Sequence, residues 1–76
     1  MKELKLYVLQ RCPFCIKVVN LIKEKGLDVE ILDVNIPENQ DALMRIGGKD
    51  MVPMLTVDGE PMYESSDIIK WLKENY

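Results

Sequence analysis

The order of apolar and polar positions predicts a strand at the start of the chain. Leu4, Leu6 and Val8 are apolar at every second position, which is the period of a β-strand. We therefore predict a strand over 5–9 that ends in a turn at Gln10-Arg11. The residues that follow this turn lie at the carboxyl end of the strand.

From Pro13 the apolar period lengthens and predicts an amphipathic helix. Proline suits the first helical position, and Gly26 suits the left-handed residue that ends a helix. We therefore predict a helix over 13–25, with Cys12 as its N-cap, outside the first turn and free to face solvent. Its apolar face is formed by residues spaced three and four apart: Cys15, Val18, Val19 and Ile22.

The rest of the chain predicts three further strands and two helices. Asp58-Gly59 favours the type I′ turn of a hairpin, and proline and glycine bound the second helix. The predicted elements are a strand over 28–34, a helix from Pro37 to about Ile46 that Gly47-Gly48 ends, strands over 54–57 and 60–63, and a helix from Ser65 or Ser66.

This order, β-α-β-α-β-β-α, predicts an α/β fold. The crossover rule makes the first two strands parallel, and the hairpin makes the last two antiparallel. One mixed four-stranded sheet covered by three helices is the natural packing. We expect a single domain over residues 1–76.

Composition and charge exclude several classes of function. The chain has 10 basic and 13 acidic residues, a net charge of -3, and no basic stripe, so nucleic acid is not an expected partner. No apolar run resembles a membrane span, and the start at Met1-Lys2-Glu3-Leu4 lacks a signal region. We expect a cytoplasmic protein that does not bind membranes.

The two cysteines, Cys12 and Cys15, are the chain's only ones and carry the candidate chemistry. The absence of histidine removes Cys-His nucleophiles and most zinc sites, so no metal is expected. A structural crosslink would close a loop too short to restrict the unfolded chain much. Thiol-disulfide exchange fits better, with Cys12 attacking from the helix N-terminus, Cys15 resolving the intermediate, and Arg11 helping to hold the thiolate.

Three motifs together resemble the glutaredoxin family of the thioredoxin fold. They are Cys12-Pro13-Phe14-Cys15, Val52-Pro53 and Ser65-Ser66-Asp67, in the family's order and over essentially the whole chain. The resemblance implies that Cys12 is the catalytic nucleophile and Cys15 the resolving thiol. It also implies a thioredoxin-like fold and glutathione as the electron donor.

The resemblance further implies a set of glutathione-binding residues. Val52, before a cis proline, would offer its backbone to the cysteinyl part of glutathione. Ser66 and the helix N-terminus would receive the γ-glutamyl carboxylate, and Asp67 its ammonium group. The full predicted set is Arg11, Phe14, Met51, Val52, Pro53, Ser65, Ser66 and Asp67.

The sequence departs from the family at two places. Leu9 stands where many glutaredoxins have a lysine that binds the glycine carboxylate of glutathione, and Arg11, Arg45 and Lys49 are unranked substitutes. Tyr63-Glu64 replaces a glycine pair. Glu64-Ser65 is instead similar to the Glu-Ser pair of glutathione transferase N-terminal domains.

We expect an enzyme that reduces glutathione-mixed and protein disulfides with electrons from glutathione. Its partners would be glutathione and glutathionylated or disulfide-bonded proteins, and a monomer is the expected state. Three alternatives stay open: a small redoxin served by thioredoxin reductase, a glutathione-ligated iron-sulfur cluster carrier, and a transferase-like binding module.

Overall fold

A computed structural model describes residues 3–76 and contains the seven predicted elements in the predicted order. Met1 and Lys2, which belong to the prediction about the N-terminus, lie outside the described residues. The elements are β1 (Leu4–Val8), α1 (Pro13–Lys25), β2 (Glu30–Asp33), α2 (Pro37–Gly47), β3 (Met54–Val57), β4 (Glu60–Tyr63) and α3 (Ser65–Asn75).

The bounds of two strands, β1 and β2, differ from the prediction. β1 ends at Val8 because the carbonyl of Leu9 turns away to accept the Cys12 N–H at 3.2 Å. β2 is shorter than the predicted 28–34, since the Val29 N–H bonds locally to the Leu27 carbonyl at 3.1 Å. Backbone groups committed to turns cannot join the sheet, and the apolar pattern alone does not show this.

The four strands form one mixed sheet in the order β2-β1-β3-β4. β1 is parallel to β2 and antiparallel to β3, and β3 is antiparallel to β4. Asp58 and Gly59 both have positive φ, 52° and 88°, as the predicted type I′ turn requires. The predicted α/β fold with three helices is confirmed.

The sheet separates two layers of helices. Leu6 and Leu55 face α1 and α3, where they join Val18, Ile68 and Leu72 in the larger core cluster. Tyr7 and Met54, the next positions along their strands, pack with Leu43 of α2 in a second cluster. Alternate residues of β1 and β3 therefore bury both faces of the sheet, which holds α1 firmly against one of them.

The described helices are short. None of those within residues 3–76 has the length and apolarity needed to cross a membrane.

The last residue of α2, Gly47, lies in a space that leaves no room for a side chain. A Cβ atom there would overlap the Tyr63 hydroxyl oxygen and lie 2.8 Å from the sulfur of Met54. Tyr63 is on β4 and its hydroxyl donates to the Lys49 carbonyl at 3.5 Å. The close approach of α2 to the sheet at this point depends on glycine.

We predict that Gly47→Ala destabilises the protein by about 1–3 kcal/mol, the usual cost of an overpacked methyl group. Gly→Ala within a helix otherwise stabilises by roughly 0.5–1 kcal/mol. The sign of the change in unfolding free energy therefore shows whether the added methyl group is overpacked. Urea denaturation measures it. Adding Tyr63→Phe, which removes the overlapping oxygen, should recover part of the loss, and an unchanged or higher stability for Gly47→Ala would contradict this packing.

Candidate active site

Cys12 lies where β1 ends and α1 begins. Its backbone is extended, with φ -81° and ψ 118°, and its carbonyl accepts the first helical hydrogen bond from Ile16 at 3.0 Å. The predicted position at the N-cap of α1 is thereby confirmed. Pro13 follows at the first helical position, where its missing N–H costs no hydrogen bond. Cys12 is partly exposed at this end of the helix.

Cys15 lies one turn later on the buried face of α1. Its side chain is 1% exposed and packs with Val18 and Ile22 in the larger core cluster. Both thiols are free in this structure. The two sulfurs therefore have very different surroundings although they are only three positions apart.

The environment of Cys12 favours its thiolate. Partial burial alone would raise the pKa of Cys12, but hydrogen bonds from the backbone N–H and thiol of Cys15, and from the backbone N–H of Phe14, lower it below its ordinary value. The N–H groups of a first helical turn have no partner within the helix, so they are available to a negative sulfur. Backbone donors thus activate this cysteine, in a chain without histidine.

The environment of Cys15 has the opposite effect. Burial first, and then the neighbouring Cys12, raise the pKa of Cys15 to about 11, although a backbone hydrogen bond from Leu9 lowers it. At neutral pH Cys15 is a neutral thiol that can donate to the Cys12 sulfur. The Cys12 sulfur is therefore suited to nucleophilic attack, and the Cys15 thiol is suited to react later with a mixed disulfide.

A groove of about 300 Å³ lies beside the start of α1. The Val52-Pro53 peptide bond is cis, as the resemblance implied, and both residues form part of the wall. Phe14, 57% exposed, and Met51, 44% exposed, give the groove an apolar rim. Six of the eight predicted glutathione-binding residues meet here: Phe14, Met51, Val52, Pro53, Ser65 and Ser66.

Glu64 also lines this groove, although it is absent from the predicted binding set. It is the N-cap of α3 and has a positive φ of 69°, an uncommon conformation for a residue with a side chain. Its side chain makes no capping bond, so within residues 3–76 the first N–H groups of α3 stay available beside Ser65 and Ser66. The similarity of Glu64-Ser65 to the transferase pair was the signal that could have added Glu64 to the set.

Two predicted residues lie away from the groove. Asp67 is exposed in the first turn of α3 and does not line it. Arg11 is exposed and borders a different cavity, and it is not among the groups that lower the pKa of Cys12. The prediction that Arg11 holds the thiolate is corrected: backbone N–H groups and the Cys15 thiol do so, because they point at the sulfur from the helix.

The other candidate cations have separate surroundings. The Lys49 ammonium lies 5.5 Å from the centre of the Tyr63 ring, and Arg45 is exposed in the last turn of α2. Neither lines the groove. In the part of the chain that the structure describes, cysteine and acidic side chains form no group of three that could hold a metal ion.

Comparison with known proteins relates this geometry to glutathione proteins. Residues 6–76 match the family model for the N-terminal domain of glutathione S-transferases. Glutaredoxin 1 of Rickettsia prowazekii is 28% identical over 72 residues, which are 91% of this chain and 76% of that protein. Glutaredoxin 2 of Escherichia coli K12 is 33% identical over 70 residues, 91% of this chain and 32% of the relative.

A solved structure agrees with the sequence matches. Glutaredoxin 2 of Salmonella typhimurium, crystallised with glutathione, superposes with a TM-score of 0.80 and 28% identity over 99% of this chain. This chain spans 34% of that protein, about a third of its length, as it does for the Escherichia coli relative. With its thioredoxin-like sheet and its Cys-Pro-Phe-Cys helix start, the chain belongs to the family of glutathione S-transferase N-terminal domains and is a glutaredoxin-like member of it.

Proposed function

We propose that this protein is a glutathione-dependent thiol-disulfide oxidoreductase that reduces glutathione-mixed disulfides and protein disulfides. One observation carries the proposal: the partly exposed Cys12, with its pKa lowered by helix N–H groups and by Cys15, stands at the start of the helix that borders the groove. Similarity to glutaredoxins that include a glutathione complex supports glutathione as the reductant.

For a glutathionylated protein, the reaction needs only Cys12. Its thiolate attacks the glutathione sulfur, the mixed disulfide bond breaks, and the protein thiolate leaves and takes a proton from water. A disulfide now joins Cys12 to glutathione. A second glutathione thiolate attacks that glutathione sulfur, which releases oxidised glutathione and restores the Cys12 thiolate, so two glutathione molecules supply the electron pair.

For a protein disulfide, Cys15 completes the reaction. The Cys12 thiolate attacks one protein sulfur, the protein disulfide bond breaks, and the other protein sulfur leaves as a thiolate that takes a proton from water. Cys15 then loses its proton to water and attacks the Cys12 sulfur, so the mixed disulfide breaks, the second protein thiolate leaves and a Cys12-Cys15 disulfide forms. Two glutathione molecules reduce this disulfide and leave as oxidised glutathione. The raised pKa of Cys15 keeps it from competing with Cys12 in the first step.

The groove would hold glutathione through backbone and hydroxyl groups. The first N–H groups of α3 and the hydroxyls of Ser65 and Ser66 would bind the γ-glutamyl carboxylate, which is the anion that a helix N-terminus attracts. Val52 would pair with the cysteinyl backbone. Asp67 is exposed in the first turn of the same helix, outside the groove wall, and from there it would bind the ammonium group.

Mutation should distinguish the roles of the two cysteines. We predict that Cys12→Ser abolishes turnover of both a glutathionylated peptide and a protein disulfide, because the attacking sulfur is lost. Cys15→Ser should keep turnover of the glutathionylated peptide and lose that of the protein disulfide. Coupled assays with glutathione and glutathione reductase measure both, and full activity of Cys12→Ser on either substrate would contradict the assignment.

The alkylation rates of Cys12 and Cys15 should reflect their different pKa values. At pH 7 iodoacetamide should modify Cys12 and leave Cys15 unmodified, and the rate at Cys12 should level off below the pH at which a free thiol titrates, because its pKa is lowered. In Cys12→Ser the remaining thiol should still react only at a pH above that at which a free thiol titrates, because burial is the largest cause of its raised pKa. Mass spectrometry across a pH series gives both rates, and equal rates for the two thiols at pH 7 would refute this division.

Glutathione binding should depend on the Ser65 hydroxyl. We predict that Ser65→Ala raises the KM for glutathione about tenfold, since a hydrogen bond to a charged group contributes about 1.5 kcal/mol or more. Ser65→Thr, which keeps the hydroxyl, should preserve most of the affinity. Steady-state kinetics measure both, and an unchanged KM in Ser65→Ala would remove Ser65 from the binding set.

A further inference from the structure

A second cavity borders Cys12 and is not used by the proposed reaction. Its volume is about 600 Å³, and its walls are Leu9, Gln10, Arg11, Cys12 and Asn35. None of these residues lines the groove beside α3. Because Cys12 is part of the wall, a molecule held near the Cys12 sulfur has this cavity within reach.

A third cavity, of about 300 Å³, lies along α1 and has two wall residues in common with this one. The two share Leu9 and Gln10, and the third extends past Ile16 and Ile31 to Lys23. Ile16 is 45% exposed and Ile31 40% exposed, so its walls are apolar and open. We call the two cavities together the α1 track, which runs from Cys12 and Arg11 to Lys23.

Apart from the Cys12 thiolate, which loses its charge when it forms a disulfide, the charged side chains along the α1 track have one sign. They are Arg11 and Lys23, although acidic residues outnumber basic ones by 13 to 10 in the chain. Within residues 3–76, no carboxylate forms an ion pair with Arg11. Asp33 does not line the track, and its carboxylate accepts the Asn35 N–H at 2.9 Å. The track therefore favours an anionic occupant.

The groove beside α3 has the opposite charge, because its one charged wall residue is the acidic Glu64. The two halves of a mixed disulfide thus meet different surfaces around the reacting sulfur. With glutathione in the groove, the protein half must lie on the rest of the surface near Cys12. An extended peptide advances about 3.4 Å per residue, so residues within three positions of its cysteine can reach Arg11.

We propose that the α1 track holds the protein half of the mixed disulfide and that Arg11 selects glutathionylated peptides with an acidic residue close to the modified cysteine. This inference rests on the proposed function and names its substrate class. The chemical step is unchanged: Cys12 bonds to the glutathione sulfur and the peptide leaves as its thiolate. Arg11 positions the peptide and does not touch the reacting sulfur atoms.

The test compares two glutathionylated peptides that differ only beside the cysteine, where one has Glu and the other Lys. At low salt the wild-type chain should show about threefold higher kcat/KM for the Glu peptide, the size of an exposed ion pair. Arg11→Glu should reverse this preference, and about 0.5 M salt should bring the ratio close to one. The ratio is the readout because any effect of the variant on the Cys12 thiolate acts equally on both peptides.

Lys73→Glu is the matched control, since it makes the same charge change on α3, at an exposed position outside the track. It should keep the wild-type ratio. Equal kcat/KM for the two peptides, or a ratio that Arg11→Glu leaves unchanged, would overturn the inference while the proposed function stands. If glutathione supports no reduction of either peptide, nor of the small mixed disulfide of glutathione and 2-mercaptoethanol, the proposed function itself fails.

Discussion

The packing of α1 against the sheet and α3 is the constraint on which the site depends. Cys15, Val18 and Ile22 bury one face of this helix among residues of β1, β3 and α3. Burial of these side chains, which contributes about 1.5–3 kcal/mol for each large aliphatic one, fixes the rotation of the helix about its axis. That rotation places Cys15 inside the core and leaves Cys12, one turn earlier, at the exposed end.

The difference between the two thiols then follows from their positions. Burial opposes a charge on Cys15, whereas the first helical N–H groups stabilise one on Cys12. The start of α3 also presents helical N–H groups without a capping side chain, beginning at Ser65. Val52 and Pro53 form part of the groove wall beside the starts of the two helices. The N-terminus of α1 stabilises a thiolate in a chain without histidine, and the N-terminus of α3 is where we propose that the glutathione carboxylate binds.

Much of this could be predicted from the sequence because its local signals agree. Pro13 and Gly26 bound α1, Asp58-Gly59 marks the hairpin, and the spacing of Cys12 and Cys15 gave their exposed and buried positions. The resemblance supplied Val52-Pro53 and Ser65-Ser66, which no local pattern brings together, since they meet only when β3 and α3 pack.

The predictions that failed concern the surroundings of a side chain and the conformation of the backbone. Arg11 is next to Cys12 in sequence, but it lies outside the groove beside α3 and is not among the groups that lower the pKa of Cys12, which adjacency alone does not reveal. Glu64 lines the groove and has a positive φ, a conformation that its residue type does not predict. The central claim, that this site exchanges disulfides with glutathione, is tested most directly by supplying a glutathionylated peptide with either glutathione and glutathione reductase or thioredoxin and thioredoxin reductase. Turnover with glutathione alone is the predicted result, and turnover only with the thioredoxin system would contradict the account.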